Sequence, residues 1–253
     1  MNISKELICL MATVKVHSNI QNVKHLKESL RLEEIRQAVA AWEKYARKTH
    51  KDLILLENSG YGEILQKDFQ AQSFNVEVFC VPESGGTPPV EISSGEFGMM
   101  QFLSEIVKIS QYDFVWKAPG RNFCINARRV LSRGSADIVA SRIRTPQHYI
   151  NTRMFGMTPA LWLKLTSNNC NFSTTSPNSS KLVYQSMEHL ITQFVLDQES
   201  SGRVQIDFPK VPRFTGIAAS SGKVIDNRRR RILVILTNPM RKLIVKLLLG
   251  NVP

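Results

Sequence analysis

Tyr112-Asp113-Phe114-Val115-Trp116-Lys117-Ala118-Pro119-Gly120-Arg121-Asn122 is the stretch on which the reading of this chain turns. Phe114, Val115 and Trp116 supply a short buried strand, and Pro119 and Gly120 turn the chain after it. Lys117 and Arg121 flank the turn, so two cations stand near the carboxyl end of a strand, where open α/β sheets bind ligands. Lysine offers a point charge and arginine a planar fork suited to phosphate oxygens. The spacing alone fits a structural turn with solvated charges equally well.

Upstream, strands and helices alternate. Leu7–Val16 is a strand candidate, and Leu32, Ile35, Val39, Trp42, Tyr45 and Ala46 carry helical spacing over Leu30–Lys48. Asp52–Leu56 predicts a strand, Glu57-Asn58-Ser59-Gly60 a turn, Glu63–Gln72 a helix and Val76–Val81 a strand. Pro82–Pro89 reads as a loop, and Gly95–Ile109 as an amphipathic helix. This order predicts an α/β fold with a mostly parallel central sheet flanked by helices. Downstream, Ala136–Ala140 and Val204–Phe208 predict strands. Thr158 caps a short helix through Leu165, Ser167–Ser180 is a polar loop, and Lys181–Asp197 is a helix.

Composition narrows the function. The 253 residues carry a formal net charge of +12 and are 43% hydrophobic. From Asn227 to the end there are seven cations and no acid. Arg228–Arg231 precede two apolar runs, Ile232–Leu236 and Leu243–Leu249, which together are too short and too charged to span a bilayer. They read as a basic amphipathic segment that lies on an anionic membrane surface, or else as a core-packing helix with a solvated basic face. The opening apolar run, Ile8–Val14, reads as a core strand and not as a signal peptide. Cys9, Cys80, Cys124 and Cys170 lack zinc spacing; Cys9 and Cys80 are expected in the core, in a reducing cytosol.

Several residues are candidates for chemistry. Glu57 or Asn58 can accept hydrogen bonds from a base or ribose, and Ser59 and Gly60 allow close backbone approach, with Ser59 as a helix cap in the alternative reading. Gly95-Glu96 opens a helix whose amides favour anions, and Glu96 is either a first-turn acid or a general base. Arg153 is a cation entering the apolar run to Met157 and calls for an anionic partner. Glu188-His189 lies on a helix, where His189 is a structural hydrogen-bonder or a base. No phosphate-binding loop, dinucleotide fingerprint, metalloprotease motif, nucleophile elbow or Asp-x-Asp occurs.

In this order the segments resemble a group of bacterial glycosyltransferases from O-antigen and capsular polysaccharide gene clusters, from about Leu7 to Gly222. The resemblance rests on Glu57-Asn58-Ser59-Gly60, Gly95-Glu96, Lys117-x-x-Gly120-Arg121, Arg153-x-Phe155-Gly156-Met157, Glu188-His189 and a segment bearing Gly216. It implies a single Rossmann-like GT-A-type domain over 1–222, with a donor-binding part to about 141 and an acceptor-side part from 142; the composition of 223–253 adds a membrane-associating tail. It implies a nucleotide-sugar donor and a lipid-linked or lipopolysaccharide acceptor. Glu57, Asn58, Gly60, Gly95, Lys117, Gly120, Arg121 and Arg153 would bind the donor, and Glu96, Glu188, His189 and Arg121 would be catalytic. Ile92-Ser93-Ser94 departs from the Gly-Lys-Gly-type run of the group. Without Asp-x-Asp no metal is expected, and preorganised cations would stabilise the leaving diphosphate instead. No other cofactor is implied. The expected location is cytoplasmic, on the inner face of the cell membrane. The other readings are a membrane-recruited scaffold without activity and a nucleic-acid binder. The second fits poorly, because the basic excess sits in an apolar tail with no interleaved aromatic and basic motif.

Overall fold

Apolar runs of four to seven residues, each followed by a helix, build a sheet buried on both faces. The structure is a computed structural model that describes residues 4–16, 27–82, 92–141, 149–167, 173–175, 182–184, 187–199 and 202–216. The expected loop beyond Pro82, Cys170 and the basic tail lie outside these residues.

Four parallel strands form one half of the sheet: β1 (Glu6–Ala12), β2 (Asp52–Glu57), β3 (Glu77–Cys80) and β4 (Phe114–Pro119). Beyond β4 lie β5 (Ile138–Ala140) and β6 (Phe155–Met157), joined at the far edge by β9 (Val204–Ile206). The seven strands run in the order β3-β2-β1-β4-β6-β5-β9, and β6 alone is antiparallel to its neighbours. A separate antiparallel pair joins β7 (Ser173–Thr175) to β8 (Leu182–Tyr184).

Alternation along the strands sends side chains to two faces. Ile8, Leu10, Leu53, Leu55, Phe114 and Trp116 meet helices α1 (Glu28–Thr49) and α2 (Gly62–Ala71). Leu7, Cys9, Ile54, Leu56, Val115, Phe155 and Met157 meet α3 (Ile92–Ile106), α5 (Pro159–Ser167) and α6 (Met187–Glu199). A short α4 (Ala127–Val130) adds to the first face. Helix α1 has Glu28 in its first turn and Arg47 and Lys48 in its last, complementing the helix dipole. It closes on His50 in the left-handed region, whose N–H returns to the Ala46 carbonyl.

The chain moves outward from β1 through β2 to β3, then crosses back over α3 to place β4 on the other side of β1. The crevice between the carboxyl ends of β1 and β4 is therefore the topological switch point of the sheet, where ligands bind in open α/β folds.

The structure departs from the sequence expectations at four places. Leu182–Tyr184 is a strand and not the start of the Lys181–Asp197 helix; Val183 and Tyr184 favour extended backbone, and the pairing with β7 fixes it. That pair also interrupts the expected polar loop. Cys80 is exposed, because β3 is the edge strand of its sheet, whereas Cys9 is buried as expected. Strand β6 was concealed by Gly156, a residue that weakens strand propensity.

Gly156 is nevertheless required. It pairs with Trp116 across β4 and β6, and a Cβ there would stand 2.5 Å from Trp116 Cε3 and 2.4 Å from Phe114 Cε1. These two rings pack at a centroid distance of 4.8 Å and cannot both retreat in a filled core. Gly156→Ala should therefore destabilise the domain by about 1–3 kcal/mol through overpacking. Urea denaturation would show a lower midpoint at unchanged slope; a midpoint equal to that of the parent would contradict the packing argument.

Candidate active site

All the candidate residues lie along the carboxyl edge of the parallel strands. Helices that follow these strands begin there, and antiparallel β6 starts there.

The first group is built around Glu57, the last residue of β2, whose carboxylate is fully buried. Its Oε1 accepts the N–H groups of Val14 at 3.3 Å and Ser59 at 3.0 Å, and its Oε2 accepts the Tyr61 N–H at 2.8 Å. The Ser59 hydroxyl also donates to it. That hydroxyl in turn accepts from the N–H groups of Val14 and Lys15, both at 2.9 Å. Thr13 Oγ1 donates to Asn58 Oδ1 at 2.6 Å. A buried carboxylate with several N–H donors is well compensated, so Glu57 welds the loop after β1 to the turn after β2. Ser59 belongs to this weld and does not cap α2, whose N-cap position is Tyr61. Gly60 supplies the turn with φ 84°.

Two guanidinium groups border this loop. Arg31 of α1 is buried and donates its Nε–H to the Thr13 carbonyl at 2.9 Å. Burial pulls its pKa down to about 10; the nearby Arg121 charge adds to the shift, and Glu34 and Glu57 oppose it. Arg121 Nη1 stands 3.5 Å from Glu34 Oε2, also on α1. Burial lowers the Arg121 pKa as well, against the pull of Glu34.

The turn after β4 is held from three sides. The Gly120 N–H donates to the Met11 carbonyl at 2.8 Å, and a Cβ at this glycine would stand 2.8 Å from the Ala12 Cβ. Buried Asn122 donates to the Thr215 carbonyl at 2.8 Å, and its own carbonyl accepts the Trp42 indole N–H at 3.1 Å. A Cβ at Gly216 would meet Asn122 Nδ2 at 2.5 Å. The Gly216 segment is thus packed directly on the turn.

Lys117 belongs to a second group, on the opposite face of the sheet from Arg121. The two cations that flank the turn in sequence do not converge in space: Lys117 precedes the end of β4 and follows the strand alternation towards α3, whereas Arg121 follows the turn and reaches α1. Lys117 is 1% exposed. Its ammonium donates to the Thr152 carbonyl at 2.6 Å and lies 3.3 Å from Glu96 Oε2, near the start of α3. Gly95, next to Glu96, is buried. The Thr152 hydroxyl donates to Glu188 Oε1, near the start of α6, at 2.9 Å. The His189 ring meets Tyr149 edge-on at 5.7 Å. The Arg153 guanidinium lies over the Phe214 ring at 5.5 Å.

The structure therefore brings Glu96, Lys117 and Glu188 into one network with His189 beside it, and sets Glu57, Asn58 and Gly60 in a neighbouring loop along the same edge. Sequence reading missed Thr13, which joins Asn58 and Arg31, Thr152, which joins Lys117 and Glu188, and Asn122, which holds the turn after β4. Thr152 precedes Arg153 in a quoted segment, but nothing in a single threonine signals that both its oxygens are used. At the other end of the sheet a cavity of about 240 Å³ is lined by Asp137, Thr158, Leu161 and Gln198, away from all of these residues.

No family model matches the sequence, and no curated protein matches it. Among solved structures, the chain is similar to the inositol-1-phosphate CTP transferase from T. maritima, with a TM-score of 0.51 and 14% identity over 90% of this chain and 94% of that one. It is more distantly similar to the galactosyltransferase LgtC in complex with donor and acceptor sugar analogs, at a TM-score of 0.44 and 10% identity over 79% and 72% of the two chains. The nucleoside-diphosphate-sugar pyrophosphorylase from Vibrio cholerae RC9 gives a TM-score of 0.44 and 9% identity over 79% and 91%. The expected α/β domain, with its mostly parallel sheet between helical layers, is the fold that the chain shares with the inositol-1-phosphate CTP transferase.

Proposed function

We propose that this chain is a glycosyltransferase that moves a sugar from a nucleotide-sugar donor to a lipid-linked saccharide of the lipopolysaccharide or capsule type, without a metal ion. The observation that carries the reading is the gathering of Glu96, Lys117, Thr152 and Glu188 at the switch-point edge of the sheet, which carries the Glu57 loop on its other face. A donor bound there has its nucleoside against Asn58 and Gly60, in the loop that Glu57 shapes. Its diphosphate lies towards Gly95, Gly120, Arg121 and Arg153, with Lys117 contributing from beneath. Acids for proton transfer stand beside it at Glu96 and Glu188, with His189 adjacent.

Leaving-group chemistry supports the metal-free form of the proposal. Breaking the bond to a nucleoside diphosphate leaves negative charge that fixed cations can stabilise. The sequence has no Asp-x-Asp, and arginines occupy this edge. A chelator should therefore leave turnover intact. Complete loss in EDTA, restored by Mn²⁺ or Mg²⁺, would overturn this part of the proposal.

Arg121→Ala and Arg153→Ala should each lower turnover by on the order of 10²-fold if these cations meet the leaving diphosphate, as for loss of one preorganised stabilising group. Steady-state assays across a panel of nucleotide sugars, with thermal melts to verify folding, would read the effect. Two folded variants with parental kinetics would remove both arginines from the donor site. Release of pyrophosphate from a nucleoside triphosphate, in place of nucleoside diphosphate from a nucleotide sugar, would replace the glycosyltransferase reading with nucleotidyl transfer.

No helix among the described residues is long and apolar enough to cross a membrane. We assign membrane attachment to the basic segment Arg228–Leu249, which places the enzyme on the inner face of the cell membrane with its lipid-linked acceptor. Each cation close to an anionic surface contributes roughly 1 kcal/mol, and apolar insertion adds a part that salt does not screen. Full-length protein should float with vesicles containing anionic lipid, and protein ending at Gly222 should not. A full-length chain that ignores such vesicles, with a truncated chain that no longer folds, would make the segment structural.

A further inference from the structure

Three candidate bases stand near one another, and their surroundings differ. The Glu96 carboxylate balances the buried Lys117 ammonium, so a proton accepted there would strand that cation in the apolar layer. The His189 imidazole packs edge-on against Tyr149. Glu188 is half-buried, and among the described residues the only hydrogen bond to its carboxylate comes from the Thr152 hydroxyl, on Oε1. Its other oxygen is the one that can meet an acceptor.

Thr152 is itself fixed. Its carbonyl accepts from Lys117 at 2.6 Å, and it is buried. Two residues back, the Ile150 N–H donates to Thr192 Oγ1 at 2.7 Å, and that hydroxyl donates to the Glu188 carbonyl. Glu188 and Thr192 lie one turn apart on the same face of α6. The segment Ile150–Thr152 is therefore pinned to α6 at two points and to β4 at a third. A carboxylate held in this way is preorganised and not left to sample rotamers.

We propose that Glu188 is the general base of the transfer and that Thr152 is the residue that positions it, an inference that rests on the glycosyltransferase reading above. The acceptor hydroxyl gives its proton to Glu188 Oε2. The electron pair of the acceptor oxygen forms the new bond to the anomeric carbon. The bond from that carbon to the diphosphate breaks, and its pair leaves on the nucleoside diphosphate. The product is a glycoside of inverted configuration, and the carboxylic acid returns its proton to solvent. Lys117, through the Thr152 carbonyl, is a second positioning residue.

The test compares Glu188→Gln, Thr152→Val and Thr152→Ser in the full-length chain. Glu188→Gln should lower kcat by on the order of 10²–10⁴-fold while nucleotide-sugar binding persists. Thr152→Val keeps the shape and removes the hydroxyl; it should lower kcat by on the order of 10–100-fold at an unchanged donor KM. Thr152→Ser keeps the hydroxyl and should recover most of that loss, which a packing role would not explain. Nuclear magnetic resonance of the product should show inversion at the anomeric carbon. A retained configuration, or a Glu188→Gln variant of parental kcat, overturns the base. An active parent for which the valine and serine variants fall equally, or change KM alone, overturns the positioning role and leaves the transferase reading standing. A parent inert towards every donor and acceptor overturns that reading and the base with it.

Discussion

A lysine ammonium buried in the layer between the sheet and its helices constrains the whole site. Lys117 occupies a strand position at which alternation demands an inward side chain, and its charge cannot stay there uncompensated. Removing one partner of such a pair costs about 3–5 kcal/mol. Glu96 and the Thr152 carbonyl answer it, and each comes from a different part of the chain. Helix α3 must therefore start where Glu96 can reach β4, and the residues ahead of β6 must pass over the same point. The ammonium thus draws three chain segments to the switch-point edge, a task for which an apolar residue has no directional interaction.

The opposite face solves the same problem with inverted sign. There the buried charge is the Glu57 carboxylate, and its compensation is a set of backbone N–H groups with Arg31 close by. Backbone donors have fixed positions, so the carboxylate imposes one loop geometry after β1 and β2. Arg31, Arg121, Glu34 and Glu57 then make two positive and two negative charges side by side. Such a balanced cluster is preorganised, and any anion that enters must compete with Glu34 for Arg121.

The fold was legible because its signals are local. The run Phe114–Trp116, the 3.6-residue spacing over Leu32–Ala46 and the proline after Thr158 each state an element within a few residues, and β4, α1 and α5 lie there. Strand β6 was not legible, since its middle residue is a glycine whose reason is the Trp116 ring across the sheet. The site divides in the same way. Glu57 and Lys117 stand out in sequence because charges interrupt apolar runs. Their roles do not, because the partners of Lys117 lie 21 and 35 residues away and those of Glu57 include the loop 43 residues before it. The two cations of the opening stretch show the consequence. Four residues apart in sequence, they are sent to opposite faces by the strand's alternation and the turn at Gly120.

This separation bears on how one edge would handle both halves of the proposed group transfer. A leaving diphosphate needs positive charge, and a base that takes a proton from a hydroxyl is weakened by positive charge beside it. With Arg121 held to α1 and the Lys117 charge matched by Glu96, the carboxylate of Glu188 meets a neutral hydroxyl as its nearest hydrogen-bond partner. In the proposed reaction, these pairings would keep the cationic side of the crevice from quenching the base. An arginine in place of Thr152 would hold Glu188 as firmly, but its charge would lower the proton affinity of the carboxylate. A hydroxyl orients the carboxylate without adding a charge, and among the described residues Thr152 is the one that offers a hydroxyl to Glu188 and a carbonyl to Lys117 at once.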